Sequence, residues 1–168
     1  MSSVVGATTK TKASVKGRRS ELRSGVVAFK RVSILEEAST LFYEKGYESA
    51  TLEMLADRLS VTKPFLYTYF KNKGDILNAI CELGVKESLV ALDRIEKTEG
   101  DSLSRLEASL REVASIIIER HEYLVVYQRE MMNLDRSDAQ RILRLRHEFD
   151  LRIGGLLEDC QQEGHISV

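Results

Sequence analysis

Residues 51–70 read Thr51-Leu-Glu-Met-Leu-Ala-Asp-Arg-Leu-Ser-Val-Thr-Lys-Pro-Phe-Leu-Tyr-Thr-Tyr-Phe70. Thr51 is a side-chain cap for a helix from Leu52 to about Leu59. Ser60-Val61 makes a turn, and Thr62 caps a second helix that runs to about Phe70. Pro64 is the chain's single proline, and proline is tolerated only in the first turn of a helix, so it marks a helix start. Helices this short are unstable alone and need mutual packing. Leu55, Leu59, Val61, Leu66 and Phe70 form a small shared core, and Ala56 lets the two helices approach. That is the physical requirement of a helix-turn-helix unit.

A unit of this kind leaves one face of its second helix free for a major groove. Here that face carries Thr62, Lys63, Pro64, Phe65, Tyr67, Thr68 and Tyr69. Lysine reaches guanine acceptors or a phosphate, and threonine bonds either. Tyrosine hydroxyls donate to phosphate. Phe65 either packs on a thymine methyl or belongs to the core. Lys71 and Lys73 follow at the helix end, where they can pair with backbone charge.

Working outward, the N-terminal side supplies a first helix from about Ala28 to Lys45. Ile34, Leu35, Ala38, Leu41 and Phe42 recur on one face, and Gly46 suits a left-handed stop. Residues 1–26 read as a basic, flexible arm: Lys10, Lys12, Lys16, Arg18, Arg19 and Arg23 stand against Glu21 alone. It is either a solvated arm or one that touches DNA backbone or minor groove. On the C-terminal side, apolar periodicity predicts longer helices over 75–96, 103–120, 122–133 and 137–163. No stretch alternates at period two. The expectation is an all-α fold: an arm (1–26), a three-helix helix-turn-helix domain (27–74), and a helical effector-binding and dimerisation body (75–168).

Net charge over the 168 residues is −1, but residues 1–73 hold 13 Lys+Arg against 7 Asp+Glu, and residues 74–168 hold 12 against 19. A basic head on an acidic body suits a protein whose one end meets phosphate. Cys81 and Cys160 share no metal or disulfide spacing and read as reduced, buried residues of a cytoplasmic protein. No apolar run nears the ~18 residues that span a bilayer, so no membrane partner is expected. The N-terminus lacks the apolar core of a signal peptide and has too few large apolar residues for a transit helix. His121, His147 and His165 are scattered, with no phosphate loop, dinucleotide fingerprint or nucleophile elbow, so neither an enzyme nor a cofactor is expected.

Arg31 to Leu77 resembles the TetR-type DNA-binding domain. The matching residues are Ile34-Leu35, Ala38, Leu41-Phe42-Tyr43-Glu44-Lys45-Gly46-Tyr47, Thr51, Leu55-Ala56, Val61-Thr62-Lys63, Leu66-Tyr67-Thr68-Tyr69-Phe70, Lys73 and Ile76-Leu77. The resemblance implies a dimeric repressor that reads a near-palindromic double-stranded operator and is released by a small molecule held in the helical body. It implies DNA-facing roles for Lys63, Pro64, Phe65, Tyr67, Thr68 and Tyr69, with Thr51 and Lys73 near phosphates. Ser60 departs from the family, which usually has glycine there. In the body, Tyr123, Tyr127, Arg129, Met131 and Met132 are candidate effector contacts, and Arg141, Arg144, Arg146 and Arg152 crowd the last helix. Both sets also read as core packing and solvated charge. The run Tyr127-Gln-Arg-Glu-Met-Met132 is similar to regulators that answer acyl-coenzyme A thioesters, which implies an acyl-CoA or another anionic, apolar effector. Family members usually continue for some tens of residues beyond the point matching Val168. A helical interaction module without DNA readout is the alternative, separable by its weak response to salt.

Overall fold

The computed structural model describes the backbone of residues 7–167 and the side-chain surroundings of residues 24–167. Seven α-helices follow one another: α1 (Ala7–Lys45), α2 (Leu52–Arg58), α3 (Lys63–Tyr67), α4 (Lys73–Ile95), α5 (Ser102–Glu119), α6 (His121–Glu130) and α7 (Arg136–Gln162). A single 3-10 turn, Met131–Asn133, joins α6 to α7. No strand occurs among the described residues.

The helix starts have local causes. Thr51 takes the Met54 N–H on its hydroxyl at 3.2 Å. Asn72, Asp101 and Asp135 cap α4, α5 and α7 in the same way, at 2.8, 2.8 and 3.0 Å. Thr62 has the extended backbone of a cap but makes no side-chain capping bond. The stops are left-handed residues: Gly46 at φ 77°, Gly164 at φ 78° and Ser60 at φ 53°. At Ser60 the N–H donates to the Asp57 carbonyl at 3.1 Å, and the next N–H, of Val61, reaches back to Ala56 at 2.9 Å. This paired closure is the usual left-handed helix exit, and glycine is the residue that adopts it without strain.

Two helix boundaries differ from the sequence reading. α1 begins at Ala7 instead of near Ala28, so the backbone of residues 7–26 is helical. Burial is needed to nucleate a helix but not to extend one, since each added residue gains a hydrogen bond. Lys, Arg and Ala favour that extension, and no proline interrupts it. Residues 1–6 of the expected arm, and the side chains of its basic residues, lie outside the described residues. At the other site, α6 ends at Glu130, and the chain tightens over Met131–Asn133 where a continuous helix was expected.

One core runs from head to body. Ile34, Ala38, Leu41 and Phe42 of α1 meet Leu55, Leu66 and Phe70, then Ile76, Leu77 and Ile80 of α4, and finally Tyr123, Val126 and Ile142. A smaller cluster of Leu92, Leu106, Leu156 and Cys160 closes the far end. Cys81 and Cys160 are free and buried, and burial pushes the Cys81 thiol up to about 12. It is therefore a packing residue and not a reactive thiol.

Ser60→Gly is expected to stabilise the protein by roughly 0.5–1 kcal/mol: relief of a ~1–2 kcal/mol left-handed penalty, partly offset by the freer unfolded chain. Thermal melting should rise by about 1–4 °C. A fall in melting temperature would contradict the strain assigned to this turn.

Candidate nucleic-acid interface and ligand cavity

α3 has five residues and is held in place from below. Leu66 is 1% exposed and Phe70, just past the helix, 2%. Arg31 of α1 clamps the exit: its Nη1 donates to the Tyr69 carbonyl at 2.6 Å, and its guanidinium lies 4.1 Å from the Phe70 ring centroid. The opposite face is open. Thr62, Pro64, Tyr67 and Thr68 are exposed, and Lys63, Phe65 and Tyr69 are half-buried. Phe65 packs against the head core, lies 5.1 Å from the Tyr69 ring, and carries the Lys30 ammonium 5.3 Å from its own ring. The structure thus brings the seven α3 candidates, Thr62 to Tyr69, onto one side of the head.

Their polar groups differ in availability. The Lys63 ammonium pairs with Glu53 of α2. That contact holds the Glu53 carboxyl below its ordinary range and raises the lysine above its own. Glu53 therefore points at α3's lysine, and a phosphate or base that takes Lys63 competes with it. Thr68 donates its hydroxyl proton to the Pro64 carbonyl at 3.2 Å. It keeps acceptor capacity towards a base edge. Thr51 is exposed, and as a cap it uses its oxygen only as an acceptor, so its proton remains free to donate.

Lys73 sits differently from an edge-of-groove lysine. Its ammonium donates to the carbonyls of Tyr47 at 2.8 Å, Ala50 at 2.9 Å and Glu48 at 3.4 Å, and lies 4.3 Å from the Tyr47 ring centroid. It ties the start of α4 to the loop after α1. Lys30 and Arg31 were missed as parts of the site. The only signal for them in the sequence was their place one turn ahead of the apolar stripe of α1.

The body holds a cavity of about 190 Å³ between α4, α5, α6 and α7. Ile80, Val113, Ile116, Ile142 and Phe149 supply apolar wall, and Tyr123 and Tyr127 project from α6. Of the five effector candidates, these two tyrosines line it. Arg129 instead reaches α1, 3.4 Å from the Tyr43 carbonyl. Met131 and Met132 lie on the 3-10 turn, and Met132 is 89% exposed. A continuous helix would have carried both methionines on from Tyr127; the tightened turn diverts them. The arginine crowd of α7 also separates. Arg141 pairs with Glu82 and Asp138, and Arg152 with Asp93 and Glu96. Arg146 lines the cavity, 5.2 Å from the Tyr127 ring centroid.

Arg120, at the α5–α6 junction, was missed and joins both sites. It lines the cavity while pairing with Glu36 of α1 at 3.1 Å and Glu87 of α4 at 3.3 Å. Next to it, Thr40 of α1 donates to Glu122 of α6 at 2.6 Å, and the Tyr47 N–H donates to Glu130 at 3.3 Å. One side of α6 thus borders the cavity and another is bonded to the helix that supports α3.

Residues 34–80 match the family model described as bacterial regulatory proteins, tetR family, and residues 99–168 match a tetracyclin repressor-like C-terminal domain. The transposon Tn10 TetC protein of Escherichia coli is 28% identical over 113 residues, covering 66% of this chain and 55% of TetC. The chain thus spans little more than half of that relative. Among solved structures, the TetR family regulator PfmR from Thermus thermophilus is 27% identical with a TM-score of 0.72, over 80% of this chain and 74% of PfmR. AibR in complex with isovaleryl coenzyme A and operator DNA shares the fold at a TM-score of 0.66 and 23% identity, over 82% of this chain and 75% of AibR. The chain belongs to the TetR family of bacterial regulatory proteins.

Lys73→Ala strips the partner from several partly buried carbonyls, which costs roughly 1–3 kcal/mol. Urea unfolding is expected to register that loss. A variant that unfolds like the parent but binds DNA more weakly would make Lys73 a phosphate contact instead.

Proposed function

We propose that this chain is a sequence-specific DNA-binding repressor, cytoplasmic and homodimeric, released from its operator by a small molecule. The observation that carries this reading is the open face of α3. Thr62, Pro64, Tyr67 and Thr68 are exposed beside Lys63, while Leu66 and Phe70 hold the helix from beneath. A rigid helix with hydroxyl, ammonium and apolar groups on one face is what groove readout needs. The positive balance of residues 1–73 supplies long-range attraction to phosphate.

In this mechanism α3 enters a major groove, and Lys63 exchanges Glu53 for a base edge. Phe65 and Tyr69 brace the helix, and Thr51 and Tyr67 meet the backbone. Two subunits read half-sites about one helical turn, or a multiple, apart on a near-palindromic operator. The body cavity receives the effector. The liganded AibR structure supports a coenzyme A thioester or a similarly anionic, apolar molecule, and Arg146 at the cavity rim suits the anionic part. The ligand acts by preferring one spacing of the two heads, since equal affinity for both would shift nothing. The bonds of α6 to α1 carry that preference to α3, alongside α4.

Selection of source-genome fragments on the purified protein, at fixed near-physiological salt, is expected to enrich a near-palindrome. Binding to it should weaken roughly a thousandfold or more between 50 and 200 mM salt. No enrichment by a folded sample, or a nearly flat salt response, would favour a protein-docking face on α3.

Two substitutions divide the face by role. Lys63→Ala should relax preference at particular operator positions by about 1–3 kcal/mol. Tyr67→Phe should weaken all sequences alike. Equal scaling by both, measured on operator variants, would remove Lys63 from base readout.

A further inference from the structure

The hydroxyl of Tyr123 is the one polar atom lining the body cavity that is fully buried and has no hydrogen-bond partner among the described residues. The residue itself is 6% exposed. A buried hydroxyl left without a partner is costly, and native interiors rarely keep one without a use. Around it the wall is apolar, and the nearest cation is already engaged. Arg120 lies 5.4 Å from the Tyr123 ring centroid, but two carboxylates, Glu36 and Glu87, neutralise it. A carboxylate placed at this depth would meet no free positive charge, and burying an unpaired charge is prohibitive. An uncharged acceptor would meet a donor that is waiting for it. Burial raises the Tyr123 phenol above its ordinary value, so it keeps its proton. At the exposed rim the charge pattern reverses: Arg146 has no carboxylate within ion-pairing distance among the described residues, although Asp150 shares that rim.

We infer that the cavity binds an apolar acyl or alkyl ligand through an uncharged carbonyl oxygen, which accepts a hydrogen bond from the Tyr123 hydroxyl, with any anionic group left at the rim beside Arg146. This rests on the effector-released reading above and names the chemistry of its ligand. An apolar cavity of ~150 Å³ accommodates benzene, so about 190 Å³ suits a buried portion on the order of ten non-hydrogen atoms. The carbonyl could belong to a free ketone or to a thioester on an anionic carrier.

Isothermal titration calorimetry on the full chain, without DNA, compares 2-nonanone, octanoyl-CoA and octanoate at neutral pH. At least one of the two carbonyl probes is expected to bind ten or more times tighter than octanoate. Tyr123→Phe should weaken that probe roughly two- to tenfold, while melting no lower than the parent, because the lost hydroxyl had no protein partner. Binding of 2-nonanone that survives Arg146→Ala identifies a free carbonyl compound; binding of octanoyl-CoA that falls with Arg146→Ala identifies the thioester. Octanoate binding as tightly as either carbonyl probe, an unchanged affinity in Tyr123→Phe, or no binding of any probe overturns the inference. Because no DNA is present, a failed operator selection with intact ketone or thioester binding would count against the repressor reading alone.

Discussion

Five residues of helix cannot hold themselves together in water, and the candidate DNA-reading surface is built on such a helix. α3 persists because Leu66 and Phe70 are buried against Ile34, Ala38, Leu41 and Phe42 of α1 and the start of α4. Arg31 then fixes the backbone at the exit through the Tyr69 carbonyl and the face of Phe70. Every exposed group on α3 inherits its position from that buried underside. The same dependence makes the reading surface sensitive to α1: any displacement of α1 relative to the body carries α3 with it.

α1 is in turn fastened to the body by polar contacts concentrated on α6 and its junction with α5. Arg120 bridges Glu36 and Glu87, Thr40 holds Glu122, and Glu130 accepts the Tyr47 N–H. These are partly exposed pairs, individually weak and responsive to small changes of geometry. The cavity lies against the same helix, with Tyr123 and Tyr127 facing it. A well-packed apolar core is a poor adjustable joint, because it is close-packed and resists gradual deformation. A set of marginal ion pairs and hydrogen bonds around one guanidinium tolerates rearrangement at small cost. The division of labour follows: apolar burial holds each helix pair, and polar contacts set the register between head and body.

The charge arrangement of the head is finer than its overall sum. Lys63 and Lys73 look equivalent as two lysines flanking a recognition helix. Glu53 neutralises one on the surface, and the loop carbonyls after α1 absorb the other in the interior of a turn. Positive charge in a basic segment is therefore distributed between readout and scaffolding, and only contacts distinguish the two.

Properties that depend on neighbours in the chain were legible from residues alone. Caps, the left-handed stops at Gly46, Ser60 and Gly164, the placement of Pro64 in a first turn and the apolar stripes all act within a few residues. Their spacing was enough to yield the helix order, the helix-turn-helix unit and which residues of α3 share a face. Tyr123 and Tyr127 followed from the same four-residue spacing. Contacts between distant segments were not legible. Nothing local distinguishes Arg120 from Arg129, or Arg146 from Arg141; each is an arginine on or beside an amphipathic helix. Their roles come from what the fold sets opposite them: Glu36 and a cavity for Arg120, the Tyr43 carbonyl for Arg129, an apolar rim for Arg146 and Glu82 for Arg141. The extent of α1 and the turn after α6 belong to the same class. Helix propagation and termination there rest on cooperative backbone bonding and on packing partners tens of residues away, which side-chain periodicity does not encode.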